Sequence, residues 1–149
     1  VYKRQDCIPL ILLTNERAVV LHLSRKNLVR GIMDEALDFV DPDRLKRVYI
    51  GPHICKNHLT YDQDHRDEEV YVFRKMFPRA VFEKNDNWQV SIRKGLQFYL
   101  DKWAIGKEKI IEDGRCTYEQ ASLASRRRSS SCGGDEGKKQ NFTIVWRET

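Results

Sequence analysis

The residues best placed by type and spacing to do chemistry stand on two short runs, "DCIPLILL" from Asp6 to Leu13 and "AVVLHLSRKN" from Ala18 to Asn27. The first puts an aspartate and a cysteine at the mouth of an apolar strand, and the second puts a histidine inside one. Thr14-Asn15-Glu16-Arg17 has turn chemistry, so the two runs read as a β-hairpin. With the turn centred between Asn15 and Glu16, Leu13 lies opposite Ala18, Pro9 opposite His22 and Cys7 opposite Ser24. Side chains alternate along a strand, which puts Cys7 and His22 on one face as diagonal neighbours, roughly 7–8 Å apart. A thiolate and an imidazole so placed can reach one zinc ion, and a catalytic zinc takes three protein ligands and an open position. Asp6 adds a carboxylate that can orient a ligand or take a proton. The competing reading is a small buried thiol and a hydrogen-bonded core imidazole, and spacing alone leaves both open.

Three further groups carry reactive side chains. "GPHICKNH" offers His53, Cys55 and His58, but the spacing fits no paired zinc-finger pattern. Gly51-Pro52 makes the stretch a strand-end loop, and the reading is against a metal there. Cys116 in "GRCTYE" has the chemistry of a nucleophile, yet no partner histidine can be assigned, and a strand-end cysteine is more often structural. Arg126-Arg127-Arg128 is the one dense basic cluster, and guanidinium groups pair with phosphate oxygens on a small ligand or a polynucleotide alike.

The elements that must position these residues follow from periodicity. From Asn27 the spacing of Leu28, Ile32, Met33, Ala36 and Leu37 predicts a helix, with Ser24 or Asn27 as cap and Asp41-Pro42 as stop. Arg47 to Pro52 reads as a strand, and about Arg66 to Phe77 as a helix ended by Pro78. "NWQVSI" is ambiguous, its second half opening a helix through Ile92, Leu96, Tyr99, Leu100 and Trp103. Glu108 to Gly114 returns to strand. "SRRRSSSCGGDEGKKQ" has the composition of an exposed flexible loop, and "NFTIVW" closes as a strand. Alternating strands and helices argue for an α/β fold, a mixed β-sheet sandwiched by helices in a single domain.

Of the 149 residues, 40% are hydrophobic and 33% charged, a balance that supports one folded domain rather than a disordered chain. No apolar run is long enough to cross a bilayer, no charged-then-apolar leader opens the chain, and four scattered cysteines make no disulfide framework; a cytoplasmic protein is the expectation. The net charge of +5 invites a nucleic-acid reading, the third hypothesis, a small basic nucleic-acid-binding domain. Mixed charges along the chain and aromatics at helical core spacing argue against it. "VYKRQ" is polar where a strand should extend backwards from Cys7. Residues 1–5 therefore read as a lead-in, and residues 6–149 as a domain lacking its N-terminal part.

Taken in order, these segments resemble the YfiH-type, laccase-domain family, historically described as multicopper polyphenol oxidases and now understood as purine nucleoside phosphorylases. Asp6-Cys7-Ile8-Pro9 is similar to the family's Ala-Asp-Cys-Leu-Pro strand start, and His22 falls on the histidine of its His-Ala-Gly-Trp-Arg-Gly segment. Ile50-Gly51-Pro52-His53-Ile54-Cys55 and Gly114-Arg115-Cys116-Thr117-Tyr118 match two further motifs. Ser125, Arg127 and Arg128 match a Ser-x-Arg-Arg element. The resemblance implies a YfiH-like fold and phosphorolysis of adenosine, inosine or methylthioadenosine to base and sugar 1-phosphate, with adenosine deamination beside it. It implies zinc, with copper as second choice, held by Cys7, His22 and an upstream histidine expected before Val1. Asp6, Cys7 and His22 then carry the chemistry. Lys26, Ser125, Arg127 and Arg128 hold nucleoside and phosphate, with Arg127 foremost. Departures are concentrated after His22. Lys26 replaces the arginine, Ser24 and Asn27 replace glycines, His58-Leu59-Thr60 replaces Cys-Tyr-Glu, and Ala124 replaces an aromatic. These changes motivate the second hypothesis, a pseudoenzyme that keeps the fold and binds ligand without turnover.

Overall fold

A computed structural model describes residues 2–63, 68–132 and 140–143 of the chain. Its centre is the hairpin of strands Ile8–Leu13 (β2) and Ala18–Leu23 (β3), preceded by a short strand, Tyr2–Arg4 (β1). The hairpin pairs Leu13 with Ala18 and Pro9 with His22, the register that the turn residues predict. The turn is closed by Thr14, whose amide donates to the Arg17 carbonyl and whose hydroxyl accepts from the Glu16 and Arg17 amides. Strand Arg47–Ile50 (β4) lies antiparallel on the other side of β2, and Ile110–Glu112 (β8) lies parallel to β4. The result is a mixed sheet in the order β3-β2-β4-β8. Ile8, Leu10 and Leu12, alternate residues of its central strand, are fully buried.

Helices cover this sheet. Arg25–Val29 (α1) is capped by the Ser24 hydroxyl, which accepts from the Asn27 amide. The predicted single helix breaks at Gly31, whose φ of +85° favours glycine, before Ile32–Glu35 (α2) and a 3-10 turn at Ala36–Asp38. Glu68–Met76 (α3) and Ile92–Lys102 (α4) bury Val70, Phe73, Leu96, Tyr99 and Leu100, and α1 packs on both. Among the described residues no helix is long and apolar enough to cross a membrane.

The α/β expectation is thus met, with additions. A second, antiparallel sheet in the order β5-β7-β6 is formed by Thr60–Asp62 (β5), Val81–Lys84 (β6) and Asn87–Val90 (β7). "NWQV" is therefore strand, and the helix begins only after Ser91, whose hydroxyl accepts from the Lys94 amide. Tyr2–Arg4, read from sequence as part of a lead-in, pairs antiparallel with Asn141–Thr143 (β9). The arginine-serine stretch corrects the expectation of a flexible loop. Arg126–Cys132 is a helix (α5), because Ser125 accepts the Arg128 amide and the Ser129 and Ser130 hydroxyls bond back to the carbonyls four residues earlier. The rest of that predicted loop, residues 133–139, and the end of "NFTIVW" lie outside the described residues.

Candidate functional site

Asp6 is the hub of one corner of the molecule. Its carbonyl accepts from the Ile54 amide at 2.9 Å. Its carboxylate accepts from the Thr117 hydroxyl at 2.8 Å and from the Arg127 amide at 3.0 Å. The start of β2, the loop after β4, the loop after β8 and the start of α5 therefore meet at one side chain. Asp6 holds four segments together, so its carboxylate is a positioning group for the strand that carries Cys7. Cys7 is half-buried directly before β2, and His22 keeps its predicted place opposite Pro9, with its Nε2 buried. Thiol and imidazole are donors of the kind zinc accepts.

The arginine pair divides. Arg128 turns inward, and its guanidinium donates to the carbonyls of Thr117 (3.0 Å), Tyr118 (2.8 Å), Gln120 (3.1 Å) and Leu123. Ser125 is fully buried beneath it as the start of α5. Both sequence-predicted binding residues thus hold the 117–125 segment in shape. Arg127 instead lays its guanidinium over the Tyr61 ring, 4.9 Å from the centroid, while Arg25 lies 4.4 Å from the centroid of the same ring. Arg25 and Lys26 both reach Glu69, at 2.8 and 3.3 Å. Hydrogen bonds from Arg25 first, then Lys26, hold the Glu69 carboxyl below its usual range. A tyrosine flanked by two guanidiniums, with Lys26 and a balancing carboxylate beside it, is a concentration of anion-binding chemistry.

A second cluster lies along the loops that Asp6 joins. His53 pairs with Cys116 in an isolated parallel bridge, its amide donating to the Arg115 carbonyl and its carbonyl accepting from the Thr117 amide. That bridge brings the 55–58 turn against the 116–119 turn. Cys55, His58, Cys116 and Glu119 then offer four ligand atoms all within 4.8 Å of one another, a set able to hold a metal ion. Cys55 Sγ lies 3.3 Å from His58 Nδ1, and Cys116 Sγ 3.8 Å from the same nitrogen. Glu119 Oε1 is 3.4 Å from His58 Nδ1 and 3.6 Å from Cys55 Sγ. The His58 ring is fixed by stacking on Tyr118, 4.2 Å between centroids at 12°. Burial, then the hydrogen bond with Cys116, pushes the Cys55 thiol up to about 11.

The expectation against a metal here, drawn from spacing that fits no paired zinc-finger pattern and from the Gly51-Pro52 strand end, is corrected because half of the ligand set comes from the distant Cys116 and Glu119. Cys55-x-x-His58 and Cys116-x-x-Glu119 are each half a set, and the shared three-residue spacing was the available signal. His53, the other histidine of that loop, is not in the cluster; its Nδ1 bonds the Gly51 carbonyl at 2.9 Å. Cys116 gains a histidine neighbour that sequence could not assign, but with a second thiol and a carboxylate around it the arrangement is a ligand set.

Comparison with known proteins agrees with the architecture. The family model described as multi-copper polyphenol oxidoreductase laccase matches residues 2–145. The Bacillus licheniformis hypothetical protein YfiH superposes with a TM-score of 0.70 at 22% identity, over 86% of this chain and 51% of that one. YlmD from Geobacillus stearothermophilus gives 0.70 at 20% identity over the same shares, 86% and 51%. The Neisseria meningitidis protein NMB0706 gives 0.69 at 18%, over 85% and 53%. The chain spans about half the length of these solved structures, and at such identities the likeness shows the fold. No curated protein matches the chain.

Proposed function

The chain belongs to the laccase-domain family described as multi-copper polyphenol oxidoreductase laccase, and on that premise we propose that it is a purine nucleoside phosphorylase. The reaction takes adenosine, inosine or methylthioadenosine with phosphate to free base and sugar 1-phosphate, with adenosine deamination as a companion. One observation carries the reading. The Asp6 carboxylate accepts the Arg127 amide at 3.0 Å, so the strand start bearing Cys7 and the foremost phosphate-binding candidate meet at one corner.

In this reading Cys7 and His22 supply the protein's donors to zinc, with copper as second choice of metal. When bound, such an ion polarises a substrate group or lowers the pKa of a bound water. Arg127 and Arg25, held in place by the Tyr61 ring, present fixed donors to phosphate, and Lys26 adds charge without the fork geometry of arginine. Phosphate competes with Glu69 for Arg25 and Lys26, so binding is coupled to breaking that ion pair. A phosphate oxygen then bonds to the anomeric carbon as the bond to the base nitrogen breaks. The electron pair leaves with the base, which takes up a proton. Ser125, Arg128 and Asp6 act by keeping Arg127 and the Cys7 strand in register.

A second reading has its own support. Glu69 already pairs with both Arg25 and Lys26, and Lys26 stands where the family motif has arginine, an arrangement suited to a binding protein without turnover. Phosphate-dependent release of adenine from adenosine separates the two. The enzyme reading expects release, cut at least about 100-fold in Arg127→Ala, the scale of losing one fixed donor to developing charge. It also expects loss of turnover in Cys7→Ala and His22→Ala. Adenosine binding without release favours the binding protein, and absence of both overturns the nucleoside reading.

A further inference from the structure

The two half-motifs Cys55-x-x-His58 and Cys116-x-x-Glu119 come from segments far apart in sequence, yet their ligand atoms converge. Each half is a tight turn. The His58 and Leu59 amides donate to the Cys55 carbonyl, at 3.1 and 3.2 Å, and the Gln120 amide donates to the Cys116 carbonyl at 3.0 Å. In each, the turn puts residue i and residue i+3 on the same side.

The edges of the cluster can be tested against a real coordination shell. Zinc–sulfur bonds of about 2.3 Å and zinc–nitrogen or –oxygen bonds of about 2.0–2.2 Å, spread tetrahedrally, place sulfur and nitrogen about 3.6 Å apart. The same geometry gives about 3.4 Å between nitrogen and oxygen and about 3.6 Å between sulfur and oxygen. The observed sulfur–nitrogen distances are 3.3 and 3.8 Å, nitrogen–oxygen 3.4 Å and sulfur–oxygen 3.6 Å. The Cys55 amide also donates to Cys116 Sγ at 3.3 Å, the outer hydrogen bond that a ligating thiolate favours.

We propose that Cys55, His58, Cys116 and Glu119 form a four-ligand site for a zinc-class divalent cation, separate from the Cys7 and His22 pair. Two sulfur donors select against magnesium and calcium, and one imidazole with one carboxylate completes a set that zinc accepts. Binding replaces two sulfur–hydrogen bonds by two sulfur–metal bonds and releases two protons to solvent. The ion ties the loop after β4 to the loop after β8, the same two loops that bond to Asp6. Glu119 is the ligand most open to solvent, with 54% of its side chain exposed against 27% for His58, and it is the one a water can replace. The site does not depend on nucleoside chemistry and stands or falls separately.

The test uses the full chain, stripped with chelator under reducing conditions and titrated with cobalt(II) as a spectroscopic stand-in. The expected result is a thiolate-to-cobalt charge-transfer band with tetrahedral ligand-field absorption, displaced by zinc. All variants are made in a Cys7→Ser background, which removes the other proposed thiolate donor and keeps the band; there Cys55→Ser and Cys116→Ser each lose most of it. His58→Gln and Glu119→Gln, which leave both thiols in place, keep a weakened band and bind about tenfold or more loosely. Circular dichroism of each variant separates lost binding from lost fold, and exposed Glu119 provides the variant least apt to disturb folding. In the Cys7→Ser background, a band that survives Cys55→Ser and Cys116→Ser, or no thiolate band at all, overturns the proposal. So does a Cys55–Cys116 disulfide in protein purified without air.

Discussion

At the scale of the residue, Arg128 shows how a side chain read as a ligand-binding group can serve the fold. Its guanidinium bonds four carbonyls, those of Thr117, Tyr118, Gln120 and Leu123. Nothing in "SRRR" distinguishes this arginine from Arg127 beside it. The distinction arises because α5 starts at Arg126, and helical geometry then points adjacent residues in different directions. The place of His22, opposite Pro9, was legible because hairpin register follows from local turn chemistry. The work of Asp6 was not, since its partners Thr117 and Arg127 lie beyond any local rule. Removing the guanidinium strands four carbonyls at once, three of them in part-buried hydrogen bonds. Arg128→Ala is expected to lower stability by about 2–3 kcal/mol in denaturant unfolding. Arg128→Lys keeps the charge but cannot spread donors over four acceptors, and should recover no more than half of that loss. A phosphate-binding role would show the reverse pattern, with stability unchanged and lysine a fair substitute.

At the scale of the element, what could be read depended on hydrophobic pattern. Strands β2, β3 and β4 are apolar and branched, and α4 repeats at helical spacing, so all four were visible. The sheet β5-β7-β6 was not, because Glu83, Lys84 and Asn87 give its strands no apolar alternation. Asn85 and Asp86 have φ of 48° and 57°, the pair of positive angles of a two-residue hairpin turn, which asparagine and aspartate tolerate. Packing also sets a requirement that periodicity hides. Gly95 lies inside α4, where glycine costs helix stability, yet an added Cβ would come 2.9 Å from Phe73 Cζ on α3 and 3.1 Å from Leu28 Cδ1 on α1. The missing side chain is what lets three helices approach. Gly95→Ala gains about 1 kcal/mol of helix propensity and meets an overpacking cost of about 1–3 kcal/mol in a core where Phe73 and Leu28 are fully buried. A net loss of about 1 kcal/mol is expected in thermal unfolding. Adding Phe73→Leu should cost less in the Gly95→Ala background than alone, since the two changes share one space.

At the scale of the whole molecule, the segments most distant in sequence are those that make the site corner and the helical layer. Asn141 of β9 donates to the carbonyls of Gln5 and Ala124 at 3.1 and 2.9 Å, and the Cys55–Cys116 cluster joins the loops after two parallel strands. Which distant segments meet has no local sequence signal until the fold is known. The helical layer contains another, and it sets how stability responds to pH. Tyr99 on α4 is buried and donates its hydroxyl to Asp34 Oδ2 on α2 at 3.2 Å. Burial, then the Asp34 charge, pushes its pKa up to about 12. Lys102 faces the same carboxylate from α4, with Nζ 3.1 Å from Asp34 and 5.7 Å from the Tyr99 ring centroid, and Phe77, Phe98 and Trp103 pack around the ring. An unfolded tyrosine ionises near pH 10. Between about 10 and about 12 the unfolded chain sheds a proton that the folded chain keeps. The stability contribution is therefore fully present below pH 10 and falls as pH rises through that window, by at most on the order of 2 kcal/mol. Tyr99→Phe deletes the titration together with the hydrogen bond. In urea unfolding followed from pH 8 to 12, the variant starts less stable than the parent and loses less across the alkaline limb, so the two curves converge. Parallel curves would show that Tyr99 ionises alike in both states and that Asp34 exerts no hold on it.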